Sequence, residues 1–265
     1  MRELQITKPK KPPMYWVKLG SIVAFIVLAY SVAFTSMDLT STFRFDQAVN
    51  MLQRLVLGPF THDVAISRIP ELFMMMMETV AIAYAGVLAG SILAIPFAFF
   101  AARNIAKKGS IGGKGILNGI RSFPELLFAI IFVSAVGIGP LAGVLAITIN
   151  SVGMLGKLYS EVIESIDQNP IEALRASGAG KLQIMWYGVL PQVLPEFMSY
   201  ALYRYEIDLR SATVLGMVGA GGLGAPLIIA SRSREWEQVG MMLIIIIVVV
   251  TVVDILSRNI RKRIV

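Results

Sequence analysis

The stretch YRYEIDLRSAT, residues 203–213, places two guanidinium groups and two carboxylates close together in a strongly apolar chain. If the stretch is helical, residues four apart are neighbours, so Arg204 pairs with Asp208 and Glu206 with Arg210. At 100° per residue, the midpoints of these pairs lie about 160–200° apart. One pair can face a pathway while the other faces protein. Two satisfied ion pairs that only fix helix packing would leave the same pattern. The planar fork of Arg210 suits an oxyanion, because it donates two hydrogen bonds to neighbouring oxygens. Ser211 and Thr213 add hydroxyls beside it, and a nearby carboxylate would keep such binding weak enough for release.

Other polar groups are candidates of lower rank for the same pathway. Glu78 sits next to Thr79 and reads equally as an outer-interface residue. Glu125 follows Pro124 and fits a helix N-terminus. Asn150 fits interhelical hydrogen bonding, worth about 0.6 kcal/mol on average. GAGGLG (Gly219, Gly221, Gly222 and Gly224) is a literal G-x-G-x-x-G, but it follows an apolar span rather than a strand, which removes the dinucleotide reading. Close helix packing, a helix break or an outer gate remain. GSIGGKG, residues 109–115, lacks the Ser or Thr that a phosphate loop carries after its lysine, and reads as a flexible loop. No ATP site is therefore expected in this chain. His62 is the one histidine and has no Cys or paired carboxylate at ligand spacing, so it reads as a surface residue and no metal is expected. Met74–Met77 reads as a lipid-facing or packing edge.

These residues must be carried by membrane spans. The 265 residues are 56% hydrophobic and 15% charged, against about 25% charged in soluble domains. The apolar residues come in long blocks: Leu19–Met37, Thr79–Ala102 and Val239–Val253 hold no charge. A crossing helix needs about 20 apolar residues. Six spans fit, near 17–37, 72–102, 113–136, 140–163, 191–215 and 237–257, with GIGP (137–140) folding one long run into two. Charge fixes the orientation. With the N-terminus inside, sixteen of the 24 basic residues fall in inner segments, and only Arg44, Arg54, Arg68, Arg232 and Arg234 fall outside. Both termini are then cytoplasmic. This bias accounts for the net charge of +7 without nucleic acid. The first apolar run exceeds a signal peptide's core of about 7–15 residues and reads as a retained helix. No internal repeat is evident, which weighs against carriers built from duplicated halves. The absence of cysteine excludes disulfides.

Between the fourth and fifth spans lies NPIEALRASGAG, residues 169–180, a charged segment on the inner side. Asn-Pro starts a helix, Glu172 favours its N-terminus, and Gly178 with Gly180 ends it. LPQVLPEF then opens the fifth span at Pro191 and Pro195. The product is a stub helix lying along the cytoplasmic face. Such a stub can dock on a soluble partner and pass rigid-body motion to both spans.

This segment resembles the binding-protein-dependent ABC importer permeases. Their cytoplasmic signature reads E-A-A, three residues, G, nine residues, I-x-L-P, and forms the coupling helix that meets the ATPase. Glu172, Ala173, Gly178, Leu190 and Pro191 match at that spacing, with Arg175 inside the same helix; Leu174 and Gly188 depart from it. RSFPELLFAIIFVSAVGIGPLAGVLAI (121–147) and YRYEIDLRSATVLGMVGAGGLG (203–224) are similar to the phosphonate-type branch. The resemblance implies an all-α type I importer fold, methionine-permease-like, with an extra N-terminal helix. Its parts would be residues 1–71 (tail, first helix and outer connection), a core of 72–258 with its coupling helix near 165–183, and a basic tail, 259–265. It further implies a homodimer in the bacterial inner membrane, two ATP-binding subunits that hold ATP and Mg, and one external binding protein. The glycines of GAGGLG could then contact that protein. The solute would be phosphonate, phosphite, phosphate or an ester. Transport of another small solute, an ATP-independent channel or carrier, and a scaffold without a pathway are the competing readings.

Overall fold

The computed structural model describes residues 13–36 and 45–264. Arg2, Lys8, Lys10, Lys11 and Arg44, used above for orientation, lie outside the described residues. The chain forms two compact units, residues 1–49 and 50–265. The first contains α1 (Pro13–Ser36) and the start of α2 (Phe45–Val56). The side chains of α1 are exposed and apolar on all sides, as suits a helix in lipid.

In the second unit, α3 (Gly58–Thr61) and α4 (Asp63–Ser67) lead into α5 (Ile69–Ala101). A short α6 (Arg103–Ala106) and a 3₁₀ turn (Lys107–Gly109) precede α7 (Ser110–Ser122), α8 (Glu125–Val136) and α9 (Pro140–Ser165). Next come α10 (Asn169–Ala176), α11 (Lys181–Gln183), a π turn (Ile184–Val189) and α12 (Leu190–Gly216). The chain closes with α13 (Gly224–Arg232) and α14 (Trp236–Ile264). Among the described residues every regular element is helical, and α1, α5, α9 and α14 are each long and apolar enough to cross a membrane. α12 has 27 residues, about 40 Å, so it is also long enough; its charges keep its hydropathy low.

The packing explains why the core is built on small residues. Lipid is as apolar as Leu, so helices in a membrane gain by close contact rather than by leaving water. On α5, Gly86, Gly90, Ala94 and Ala98 recur every four residues and are all buried. They admit α9 so closely that a Cβ on Gly86 would lie 2.6 Å from Ile147 Cγ2, and one on Gly90 2.7 Å from Ser151 Cβ. At the α9–α12 contact, Tyr159 stacks on Phe197 at 3.9 Å and its hydroxyl donates to the Phe197 carbonyl (3.1 Å). Met76 is fully buried in this core while Met74 is exposed, so the methionine run serves both packing and the outer surface.

Two expectations need correction. The span expected at 113–136 is not one straight helix: α7 and α8 meet at Phe123–Pro124 with a bend of 81°. Proline disfavours the α conformation at the residue before it, and Phe123 is extended (φ −87°, ψ 129°). GSIGGKG is not a loop but the end of the 3₁₀ turn and the first turns of α7. Its Gly113 faces Ala101, where a Cβ would come within 2.9 Å of backbone. Close approach to α5 thus outweighs the poor helix propensity of glycine, a deficit of about 1 kcal/mol.

Candidate functional site

The stub helix forms where its local chemistry places it. Asp167 Oδ1 accepts from the Asn169 backbone N–H (3.0 Å), and Pro170 occupies the first turn of α10. At the other end Gly178 has φ +83°, and the Ala179 N–H reaches back to the Leu174 carbonyl (3.0 Å) while that of Gly178 reaches Arg175 (3.0 Å). This is a Schellman stop. Gly180 starts α11 rather than ending α10: its N–H donates to Gln183 Oε1 (2.7 Å). Eight residues are too few for an independent helix, so tertiary contacts hold it. Ile171 is its one buried residue, while Glu172, Ala173 and Arg175 are exposed.

Gln192, not singled out from the sequence, ties this helix to α12. Its side-chain carbonyl accepts from the Asp167 N–H (3.0 Å), and its amide donates to the carbonyls of Gly188 (2.7 Å) and Asp167 (3.3 Å). The two departures from the importer signature also fit each other. A Cβ on Gly188 would lie 3.1 Å from Leu174 Cδ1, so the larger residue at 174 occupies room that the smaller one at 188 leaves. Leu182, Trp186 and Tyr187 beside α10 are exposed, a patch that sequence inspection passed over because it sits in an ordinary apolar run.

The charged residues of α12 separate into two environments. Arg204 and Asp208 pair as expected, 2.7 and 2.8 Å apart, and both are buried. Ser151, near the middle of α9, donates to Asp208 (2.7 Å) and accepts from Arg204 (3.2 Å). Glu125 lies 3.7 Å from Arg204 and accepts from Asn150 (3.0 Å), so the helix-start carboxylate and the interhelical amide join one cluster across α8, α9 and α12.

The expected Glu206–Arg210 pair does not form. Arg210 instead donates to Asp254, and Arg261 donates to Glu206 (2.7 Å), both across to α14. The helix spacing allowed the local pair; two tertiary partners displaced it. Arg210, Ser211 and Thr213 consequently do not converge. The Arg210 side chain is 55% exposed, Ser211 is half-buried, and Thr213 is buried where α12 meets α13.

Glu78 and Thr79 anchor the glycine loop. The Gly222 N–H donates to Glu78 Oε1 (3.1 Å) and the Leu223 N–H to Thr79 Oγ1 (2.9 Å). Gly219, Gly221 and Gly222 have φ between +72° and +94°, a region open to glycine at little cost. A Cβ on Gly224 would meet the Thr213 carbonyl at 2.2 Å. The Gly139 N–H donates to the Gly219 carbonyl (2.9 Å), which joins the GIGP and GAGGLG turns at the end of the bundle away from α10.

The described residues thus form a helical bundle with several helices fit to cross a membrane and a capped stub helix between two long ones. Residues 94–265 match the family described as binding-protein-dependent transport system inner membrane component, and the chain belongs to it. The phosphite transport system permease protein PtxC of Stutzerimonas stutzeri is 44% identical over 189 residues, 71% of this chain and 69% of that one. An Escherichia coli protein named for a cryptic phosphonate transport system, PhnE2, is 48% identical over 121 residues, 46% of this chain and 99% of that one. Among solved structures, a chain of the MetNI methionine ABC transporter in inward-facing conformations matches with TM-score 0.65 at 21% identity, covering 75% of this chain and 98% of that one. The fold is that of the type I importer permeases.

Proposed function

We propose that the chain is the membrane subunit of an ATP-driven importer of phosphonate or a related phosphorus oxyanion, in the inner membrane of a bacterium. Two copies would form the pathway, an external protein would deliver the solute, and two partner subunits would bind ATP and Mg. The Lys and Arg bias supports cytoplasmic termini and a cytoplasmic α10. The observation that carries the reading is α10 itself: capped at both ends, tied to α12 through Gln192, and presenting Glu172, Ala173 and Arg175 outward. The relatives named for phosphite and phosphonate support the solute class. Within the pathway, Arg210 is the cation we assign to the oxyanion. A half-exposed guanidinium is costly against lipid and calls for a partner or a watery cavity. Asp254 beside it keeps that binding reversible. Arg204, buried with Asp208, serves the packing of α9 on α12.

The test is ATP hydrolysis and uptake by the complex reconstituted with its ATPase and binding protein. Loaded binding protein should stimulate hydrolysis. Glu172→Lys should weaken the ATPase contact, and Gln192→Leu should leave hydrolysis while reducing solute moved per ATP. Solute flux through the purified chain alone, without ATP, would instead support a channel or carrier.

A further inference from the structure

At the end of the bundle that carries α10, a cavity of about 240 Å³ opens between α6, α7 and α9. Its polar lining is Arg103, Lys114, Lys157, Asn118 and Glu161, over a floor of Leu117. Three cations thus face one carboxylate. Glu164 neutralises one of them, Lys114, at 2.8 Å. Glu161 forms a long, half-exposed ion pair with Lys157 at 3.8 Å. With Glu161 and Glu164 each paired to a lysine, Arg103 is the cation left over, and a positive excess in one cleft attracts an anion.

The position of the cavity narrows the chemistry. Arg103 is the first charged residue after the uncharged run Thr79–Ala102 of α5, so it marks where that helix leaves the hydrocarbon. Lys157 lies 17 residues into α9, about 25 Å along its axis, close to the thickness of a bilayer core of about 30 Å. Arg103 is fixed there because its backbone N–H donates to Glu164 (2.7 Å) and Asn104 donates to the Ile163 carbonyl (2.6 Å), tying the ends of α5 and α9 together. Ammonium and guanidinium groups converging at headgroup depth, with an amide beside them, match the oxygens of a phosphate group.

We propose that this cavity binds a phosphate group, either the headgroup of an anionic lipid in the surrounding leaflet or a free phosphorus oxyanion. The inference rests on the placement of α5 and α9 across the membrane and not on which solute is carried. The same chemistry serves both sources, and the experiment separates them.

The full chain is placed in nanodiscs of phosphatidylcholine with a minor share of phosphatidylglycerol, and lipid retained through purification is weighed by native mass spectrometry. In a second arm, inorganic phosphate is titrated in phosphatidylcholine discs and the unfolding temperature is followed. Arg103→Gln with Lys157→Gln leaves the Lys114–Glu164 pair in place, and Lys262→Gln serves as a basic residue outside the cavity. Loss of two cations should weaken phosphate-group binding about tenfold or more. Phosphatidylglycerol retained by the wild type and by Lys262→Gln but lost from the double variant assigns the headgroup. A phosphate-dependent rise in unfolding temperature with the same pattern assigns the free oxyanion. If neither arm responds, or if Lys262→Gln loses as much as the double variant, the cavity has no such site and the proposal fails.

Discussion

At the scale of single residues, the inner end of the molecule shows how a departure from a family pattern can be compensated in place. Leu174 and Gly188 each break the importer signature, yet they touch: the leucine side chain fills the space above the glycine. Gly188→Ile alone should therefore overpack this contact, at a cost of about 1–3 kcal/mol. Leu174→Ala alone should leave a hole beneath α10, with a smaller cost because Leu174 is only half-buried. Combined, they should recover most of both losses. A double-mutant cycle on unfolding in detergent reads the coupling directly, since residues in contact deviate from additivity by 0.5–3 kcal/mol. Additive losses would mean that the two positions are independent and that their pairing is coincidental.

At the scale of elements, α12 is the informative case, because its four charges were visible in the sequence while only half of their pairing was. Arg204–Asp208 obeys the local four-residue rule. Arg210 and Glu206 find Asp254 and Arg261, 44 and 55 residues further along the chain, and no local rule reaches that far. The same limit explains α7. Its glycines argue locally for a loop, and only the close approach of Ala101 makes a glycine-rich helix worth forming. By contrast α10 was largely legible, because Asn-Pro and Gly178 are start and stop signals whose chemistry is contained within the segment, although Asp167 holds its first turn and Gly180 belongs to the next helix. The two ion-pair environments on α12 predict different losses. Asp208→Ala leaves the buried Arg204 guanidinium with only the more distant Glu125 carboxylate, 3.7 Å away, and should cost up to about 3–5 kcal/mol, read as a fall in unfolding stability. Asp254→Ala frees Arg210, whose side chain is 55% exposed, and should cost about 1 kcal/mol or less. Uptake by the assembled complex should nevertheless change on Asp254→Ala, because the charge beside the cation proposed for the pathway has gone. Equal destabilisation by both substitutions would place Arg210 in the packing rather than in the pathway.

At the scale of the whole molecule, the two ends of the bundle have different designs. One end is closed by glycine turns locked to each other through Gly139 and Gly219 and to α5 through Glu78 and Thr79. The other carries α10, which buries Ile171, packs Leu174 over Gly188 and presents most of its remaining surface outward. A short helix with so little of itself buried has a surface suited to a second protein, and the excess of Lys and Arg supports the proposed placement of that end in the cytoplasm. The chain contains no cysteine, so single cysteines report on sidedness without background. Ala176→Cys, exposed at the end of α10, and Ser233→Cys, exposed between α13 and α14, are placed on surface positions away from every pair discussed above. In sealed, right-side-out vesicles, a membrane-impermeant maleimide should label Ser233→Cys directly. It should label Ala176→Cys only after the membrane is opened by detergent. In inverted vesicles the order should reverse. Labelling of Ala176→Cys from the exterior would put α10 out of reach of any cytoplasmic ATPase, and the proposed coupling of ATP hydrolysis to transport would fall with it.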